Sequence, residues 1–319
     1  KDVTISAEQI SFINAMVDKQ CDQLDGVKDG LIQNPAMCDF IPERDLSLCK
    51  GDKQTAECFT QEQIDLINVR LTAVTDEKGN VLQPAYSVSN LQMGDLTGLG
   101  TETLRVMAFG NQPDFDLNSV INLQNSAAGP VDGYRAVVKQ TDFKQASRTL
   151  NMGIGAIPEN ADKLIKQDRK LLIWHDLSDQ LLTPYMSYNY YKQLAKRNGG
   201  IKKLQDNVRL FTLPGTTHCS GGDGGVGPNS IDVLSAMENW VEKGKAPDGL
   251  IATFYPGTSF GGKDFTQPPG RTMPLCKFPE MARYSGKGDV NDASNWTCPA
   301  DDTGMLDISE SGIQAGLIH

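Results

Sequence analysis

The feature that most constrains this chain is a strand–helix–strand pattern between residues 170 and 214. Lys170–His175 (KLLIWH) and Val208–Pro214 (VRLFTLP) are short, nearly continuous apolar runs, as expected of strands covered on both faces. Between them Thr183 reads as an N-cap, Pro184 as the first helical position and Gly199 as the stop. Parallel neighbours need a crossover of this kind. A further helix is expected at about Asn229–Lys243, with Leu234, Met237 and Val241 facing inward. Strand, helix, strand, helix is the rhythm of an α/β fold, here the last part of a doubly wound sheet. Two strands are not a whole sheet.

The preceding half is less regular. Residues 6–20 read as a helix, with Ser6 and Gln9 at capping-box spacing and Ile10, Ile13 and Val17 on one face. A second helix begins at Thr60, with Gln63 three residues on and Ile64, Ile67 and Leu71 following. From about 75 to 165 periodicity is poor and Gly, Pro, Asn and Gln are frequent. At 319 residues and 39% hydrophobic, the chain has material for a substantial core and two domains. A net charge of −10 argues against nucleic acid or an anionic membrane as partner and fits a secreted protein. No apolar stretch approaches the roughly 18 residues of a membrane span. Lys1 is not an initiator Met, so the start is expected to be a mature or processed end.

Each apolar run leads into a polar turn. The first continues as HDLSDQLLTP and contains Asp179; the second continues as PGTTHCSGG and contains His218, 39 residues on. Asp then His, each just after a strand, is how the second and third members of an α/β-hydrolase triad appear. A general base must reach a hydroxyl, and a carboxylate must fix its tautomer. Asp176 is a rival carboxylate, although spacing to the Pro184 helix favours Asp179; His175 is read as structural. The serine should come first in the chain, and none does credibly. Gly257-Thr258-Ser259-Phe260-Gly261 matches G-x-S-x-G, but it follows the histidine and lacks a strand–turn–helix setting. Gly222-Asp223-Gly224-Gly225-Val226-Gly227 matches a dinucleotide fingerprint, yet no second nucleotide-binding unit follows, and a flexible turn beside the histidine explains it better.

Two other features carry chemistry. In CDQLDGVKDGLI (Cys21–Ile32), Asp22, Asp25 and Asp29 crowd three carboxylates that repel one another unless a cation sits between them. Calcium takes six to eight oxygens, carbonyls included, but the spacing is not that of an EF-hand. A solvated acidic turn is the alternative. The seven cysteines leave connectivity open, and an odd one signals either a buried thiol or a partner elsewhere. Asn295-Trp296-Thr297 is a glycosylation sequon.

PGTTHC, D-Q-L-L-T-P, the acidic loop and the tail RTMPLCKFPEMARYSGKGDVNDASNWTC together resemble the tannase/feruloyl esterase family. The likeness runs from about residue 10 to Cys298, and Arg105–Asp116 (RVMAFGNQPDFD) is similar to the family's lid motif. One departure is that His175-Asp176-Leu177-Ser178-Asp179 stands where the family usually reads His-Gly-x-x-Asp. The family signature is Cys-Ser, then Asp, then His-Cys, and only the last two parts are in this chain. The resemblance implies local disulfides Cys21–Cys38, Cys49–Cys58 and Cys276–Cys298. It implies that Cys219 pairs with the cysteine before the missing serine. It also implies a structural Ca2+ held by Asp22, Asp25, Asp29 and the carbonyls of Val27 and Leu31.

The expectation is thus a lid region with the calcium loop over 1–165, the C-terminal part of an α/β-hydrolase core over 166–270, and a disulfide-closed segment over 271–319. The implied function is a secreted or periplasmic serine carboxylic ester hydrolase for aromatic-acid esters such as galloyl, feruloyl or terephthalate esters. His218 is its base and Asp179 its orienter, and the serine lies on an N-terminal portion of the same precursor, disulfide-linked through Cys219. The alternatives are an inert truncated fragment, or a non-catalytic calcium-stabilised binding protein built from a decayed hydrolase.

Overall fold

A computed structural model of the protein describes residues 3–51, 55–91, 121–125, 134–138, 144, 158–221, 226–258 and 262–300. Helix α1 (Ala7–Cys21) opens it, and its start is a closed capping box. The Ser6 hydroxyl accepts the Gln9 N–H, and the Gln9 side chain takes the Ser6 N–H. Helix α2 (Gln61–Leu71) repeats the device with Thr60 and Gln63. Ile13 and Val17 of α1 pack with Phe59, Ile64 and Ile67 in one apolar cluster. Disulfides Cys21–Cys38 and Cys49–Cys58 close the loops between the helices.

The weakly patterned stretch holds more regular structure than its sequence suggests. Strands β1 (Val74–Asp76), β2 (Val81–Gln83), β3 (Ile121–Asn125) and β4 (Tyr134–Val138) form one sheet in the order β2-β1-β4-β3. β1 runs parallel to β4, and the other pairs are antiparallel. β1 and β2, at three residues each, are too short to display an alternation that periodicity could detect. Arg105–Asp116 lies outside the described residues.

Helix α3 (Pro158–Lys166) leads into β5 (Leu171–Asp176), α4 (Tyr185–Arg197) and β6 (Val208–Leu213). β5 and β6 are parallel, in register from Leu171↔Val208 to Asp176↔Leu213. α4 covers one face with Tyr185, Tyr188, Tyr191 and Leu194, packed on Val208, Leu210 and Phe278. The buried tyrosine hydroxyls are not stranded: Tyr188 donates to Thr212 Oγ1 (3.1 Å) and Tyr191 to the Val208 carbonyl (3.2 Å). On the opposite face Leu172, Phe211 and Leu213 meet Leu250, Ala252 and Leu275. β6 is therefore buried on both faces, as its continuous apolar run suggests, whereas β5 keeps Trp174 exposed.

Three details depart from the sequence reading. Thr183 does not cap α4, because its hydroxyl is drawn to the Ala85 carbonyl (2.5 Å), and Pro184 occupies the cap without a side-chain bond. The helix expected from Asn229 begins later, as α5 (Val233–Lys243), capped by Asp232. Asn229 is instead bonded through its side chain to the Tyr255 backbone, and β7 (Ser230–Ile231) pairs with β8 (Gly249–Thr253). The buried face of α5 carries Val233, Ala236, Met237 and Trp240, whereas Leu234 and Val241 are 68% and 63% exposed. β8 also pairs with β9 (Thr272–Cys276), giving an antiparallel sheet β9-β8-β7 beside β6. Cys276–Cys298 ties the tail to that sheet, where Leu31 from the acidic loop packs on Met273, Ala282 and Trp296. Among the described residues no helix is long and apolar enough to cross a membrane.

Candidate active site

Because β5 and β6 are parallel and adjacent, their carboxyl ends lie side by side, which is where α/β proteins assemble sites. The turn after β5 presents Asp179 and the turn after β6 presents His218. His218 Nδ1 is 3.0 Å from Asp179 Oδ2 and 3.2 Å from Oδ1. The carboxylate is 5% exposed and the imidazole 29%, so the acid is the more sheltered of the two. Burial by itself would raise the Asp179 carboxyl. The nearby His175 imidazole, together with hydrogen bonds from the Leu182 N–H, His218 and the Leu181 N–H, outweighs it and holds the group at about 2. A carboxylate fixed as an anion can orient an imidazole and stabilise its cation.

The two turns are also fastened to each other. Ser178 N–H donates to the Thr216 carbonyl (3.0 Å), Leu177 N–H to the Leu213 carbonyl (2.8 Å), and the His218 N–H to Gln180 Oε1 (3.2 Å). Residues from the N-terminal region clasp the acid turn from outside. Arg70 at the end of α2 donates to the Gln180 carbonyl and lies 4.1 Å over the Tyr86 ring, whose hydroxyl donates to the Leu181 carbonyl (3.0 Å). Ser89 donates to the Leu177 carbonyl (3.2 Å), and Asn90 to the Ser178 carbonyl (3.2 Å). Sequence reasoning did not single out Arg70, Tyr86 or Gln180. Gln180 had a signal, since it adjoins Asp179, but Arg70 is 110 residues from its partner and had none.

His175, read as structural, lies against Asp179 with Nε2 3.5 Å from Oδ2. Cys219, next to the histidine, is an exposed free thiol with φ 57°, in the left-handed region. Ser259 and Gly222–Gly225 lie outside the described residues. Asn295 donates its side-chain amide to the Asp289 carbonyl (3.0 Å).

The acidic loop stands apart from the Asp179–His218 pair. Asp22 accepts the N–H of Asp29 and of Gly30 at 3.2 Å, and Asp25 Oδ1 accepts that of Val27 at 3.2 Å. Among the described residues Asp25 Oδ2 has no hydrogen-bond partner, and it is buried. Burial, with Asp29 and Asp22 nearby, pushes the Asp25 carboxyl up to about 7. Asp29 Oδ2 faces Arg271 Nη1 at 3.1 Å. An orphaned buried oxygen among acids fits a cation. Yet among the described residues no three of His, Cys, Asp or Glu are gathered as a metal-holding group, so Asp22 and Asp29 would have to turn toward the ion.

An acid and a histidine bonded through Nδ1 at the ends of neighbouring parallel strands are compatible with an α/β-hydrolase-type protein. The same overall fold is found in the crystal structure of an esterase from Aspergillus oryzae, with TM-score 0.71 at 24% identity, covering 93% of this chain and 57% of that one. Within that class the chain belongs to the tannase and feruloyl esterase family, which it matches over residues 1–299. Among curated relatives, a probable feruloyl esterase B-2 of Neosartorya fischeri is 29% identical over 321 residues, covering 93% of this chain and 55% of its own length. The mono(2-hydroxyethyl) terephthalate hydrolase of Piscinibacter sakaiensis is 26% identical over 331 residues, covering 93% and 52%. The chain thus spans about half the length of the curated relatives it matches.

Proposed function

We propose that this chain is the C-terminal portion of a secreted serine carboxylic ester hydrolase acting on aromatic-acid esters. The observation that carries the reading is the His218 Nδ1–Asp179 Oδ2 bond of 3.0 Å at the carboxyl ends of β5 and β6. With Nδ1 committed to the carboxylate, Nε2 is the nitrogen that takes a proton. In the proposed mechanism Nε2 deprotonates a serine hydroxyl supplied by an N-terminal portion of the same precursor. The serine oxygen attacks the ester carbonyl, and the imidazolium returns its proton to the departing alcohol. Water, deprotonated by the same nitrogen, then releases the aromatic acid. Asp179 stays ionised throughout, as its low proton affinity allows. The oxyanion donors would come mainly from the backbone beside the serine.

Three further parts belong to the proposal. Cys219 forms a disulfide with the cysteine next to that serine, an arrangement its exposed thiol leaves open. The acidic loop binds Ca2+ through Asp22, Asp25, Asp29 and the carbonyls of Val27 and Leu31, where the ion serves structure by neutralising buried carboxylates. Secretion, or export to a periplasm, suits the three disulfides, which persist in oxidising compartments.

The test is hydrolysis of feruloyl, galloyl and terephthalate esters by the protein joined to its N-terminal portion. His218→Ala should be nearly inactive, and Asp179→Asn should lose on the order of 10⁴ in kcat because the histidine is then held in the wrong tautomer. Asp176→Asn and Ser259→Ala should change rates far less. Ester turnover by the isolated 319-residue chain that disappears with Ser259→Ala would overturn the assignment.

A further inference from the structure

Asp179 carries two imidazoles, not one. His175, the penultimate residue of β5, has its side chain 16% exposed, and its Nε2 is 3.1 Å from the Leu182 carbonyl oxygen. A carbonyl only accepts, so that nitrogen must bear the hydrogen. Its Nδ1 is 2.7 Å from Ser187 Oγ on α4, and in the neutral ring this nitrogen accepts the serine hydroxyl. The same Nε2 is 3.5 Å from Asp179 Oδ2, the oxygen that His218 Nδ1 reaches at 3.0 Å. Asp179 Oδ1 is meanwhile filled by the N–H groups of Leu181 (2.8 Å) and Leu182 (2.9 Å). Each oxygen is therefore met from a fixed direction, with His175 braced between a strand, a turn and a helix.

We propose that His175 is a positioning residue for the catalytic pair: its Nε2–H, shared between the Leu182 carbonyl and Asp179 Oδ2, holds the carboxylate in the rotamer that meets His218. The proposal rests on the hydrolase reading, which gives the His218–Asp179 bond its use. Any sheltered imidazole satisfies both its nitrogens; what sets this one apart is that its Nε2 edge also reaches the orienting acid. The depressed Asp179 carboxyl agrees, since against the opposing effect of burial the His175 contact is the largest favourable one. Arg70 supplies a further positive charge near the same carboxylate.

Imidazole 15N–1H NMR of the 319-residue chain at neutral pH tests the geometry without any turnover. His175 should show the neutral Nε2–H tautomer, and the downfield Nδ1 proton of His218 should be visible. His175→Phe should shift or broaden that proton because Asp179 loses a donor, while His175→Gln, whose amide can replace Nε2–H, should keep it near its original position. A neutral Nδ1–H tautomer at His175, or a His218 proton unmoved in folded His175→Phe, overturns the proposal. Should His175→Phe not fold, the wild-type tautomer and the Gln variant still decide. In the enzyme with its N-terminal portion, His175→Phe should lower kcat about 10–100-fold at unchanged KM, with most of it restored in His175→Gln. An unchanged kcat counts against the proposal. Wild-type protein inert toward aromatic esters would sink the hydrolase reading instead, leaving the tautomer result to stand or fall separately.

Discussion

Two carboxylates in this chain are equally buried and behave oppositely. Asp179 and Asp25 are 5% and 3% exposed, yet one is held at about 2 and the other pushed up to about 7. The difference is in what surrounds them: donors converge on Asp179 and outweigh its burial, whereas at Asp25 burial and two like charges outweigh the backbone N–H groups. Linkage gives the signs. Asp179 contributes stability that is present above its unfolded value and lost as pH falls toward 2. Asp25, without a cation, does the reverse: the folded state retains a proton the unfolded chain has released, so stability falls as pH rises from about 4 to 7. In chelator above pH 7, Asp25→Asn should therefore melt higher than wild type. Added Ca2+ should raise the wild-type melting temperature and leave Asp25→Asn unmoved. A wild-type Tm indifferent to both chelator and Ca2+ would remove the calcium site from the proposal.

At the scale of elements, the histidine turn is set by two glycines and one leucine. Gly215 has φ 63°, and a Cβ there would come within 2.2 Å of Leu31 Cδ2. At Gly227 a Cβ would come within 1.8 Å of the Pro214 carbonyl oxygen. The acidic loop, apart from the acid–histidine pair in sequence, thus leans through Leu31 on the turn that ends in His218. Gly227→Ala, facing rigid backbone, should cost about 1–3 kcal/mol or more by denaturant melts. Leu31→Ala should cost about 2–5 kcal/mol through its cavity. The pair Gly215→Ala with Leu31→Ala should be less damaging than the sum of the singles, because removing Leu31 makes room for the new methyl. Strict additivity would mean that the contact does not matter. Thr183 and Thr60 show what local signals can and cannot give. Both looked like caps; Thr60 caps α2, but Thr183 finds the Ala85 carbonyl, 98 residues away. Capping is legible because its partners are three residues apart, until a distant acceptor competes.

At the scale of the molecule, β6 is the only strand that pairs with β5 among the described residues, and Trp174 on β5 is 45% exposed, while Trp240 and Trp296 are 3% and 5% exposed. If an N-terminal portion completes the sheet, it should cover this edge. The acrylamide-quenchable fluorescence removed by Trp174→Phe should be large in the isolated chain and nearly absent in the longer protein. Equal quenching in both would place the missing portion elsewhere. Non-reducing mass analysis of the longer protein, if it is processed, should show a second chain released by reductant and lost in Cys219→Ala. The sequence by itself determined what depends on neighbours in the chain: the capped helices α1 and α2, the two parallel strands, and Asp179 and His218 at their ends. Tertiary structure alone decided which face of α5 is buried and where Thr183 spends its hydroxyl. It also decided which side chains clasp the acid turn and that His175 shares Asp179. Those outcomes depend on partners up to 110 residues away, whose competition for the same hydrogen bonds and apolar surface no local pattern encodes.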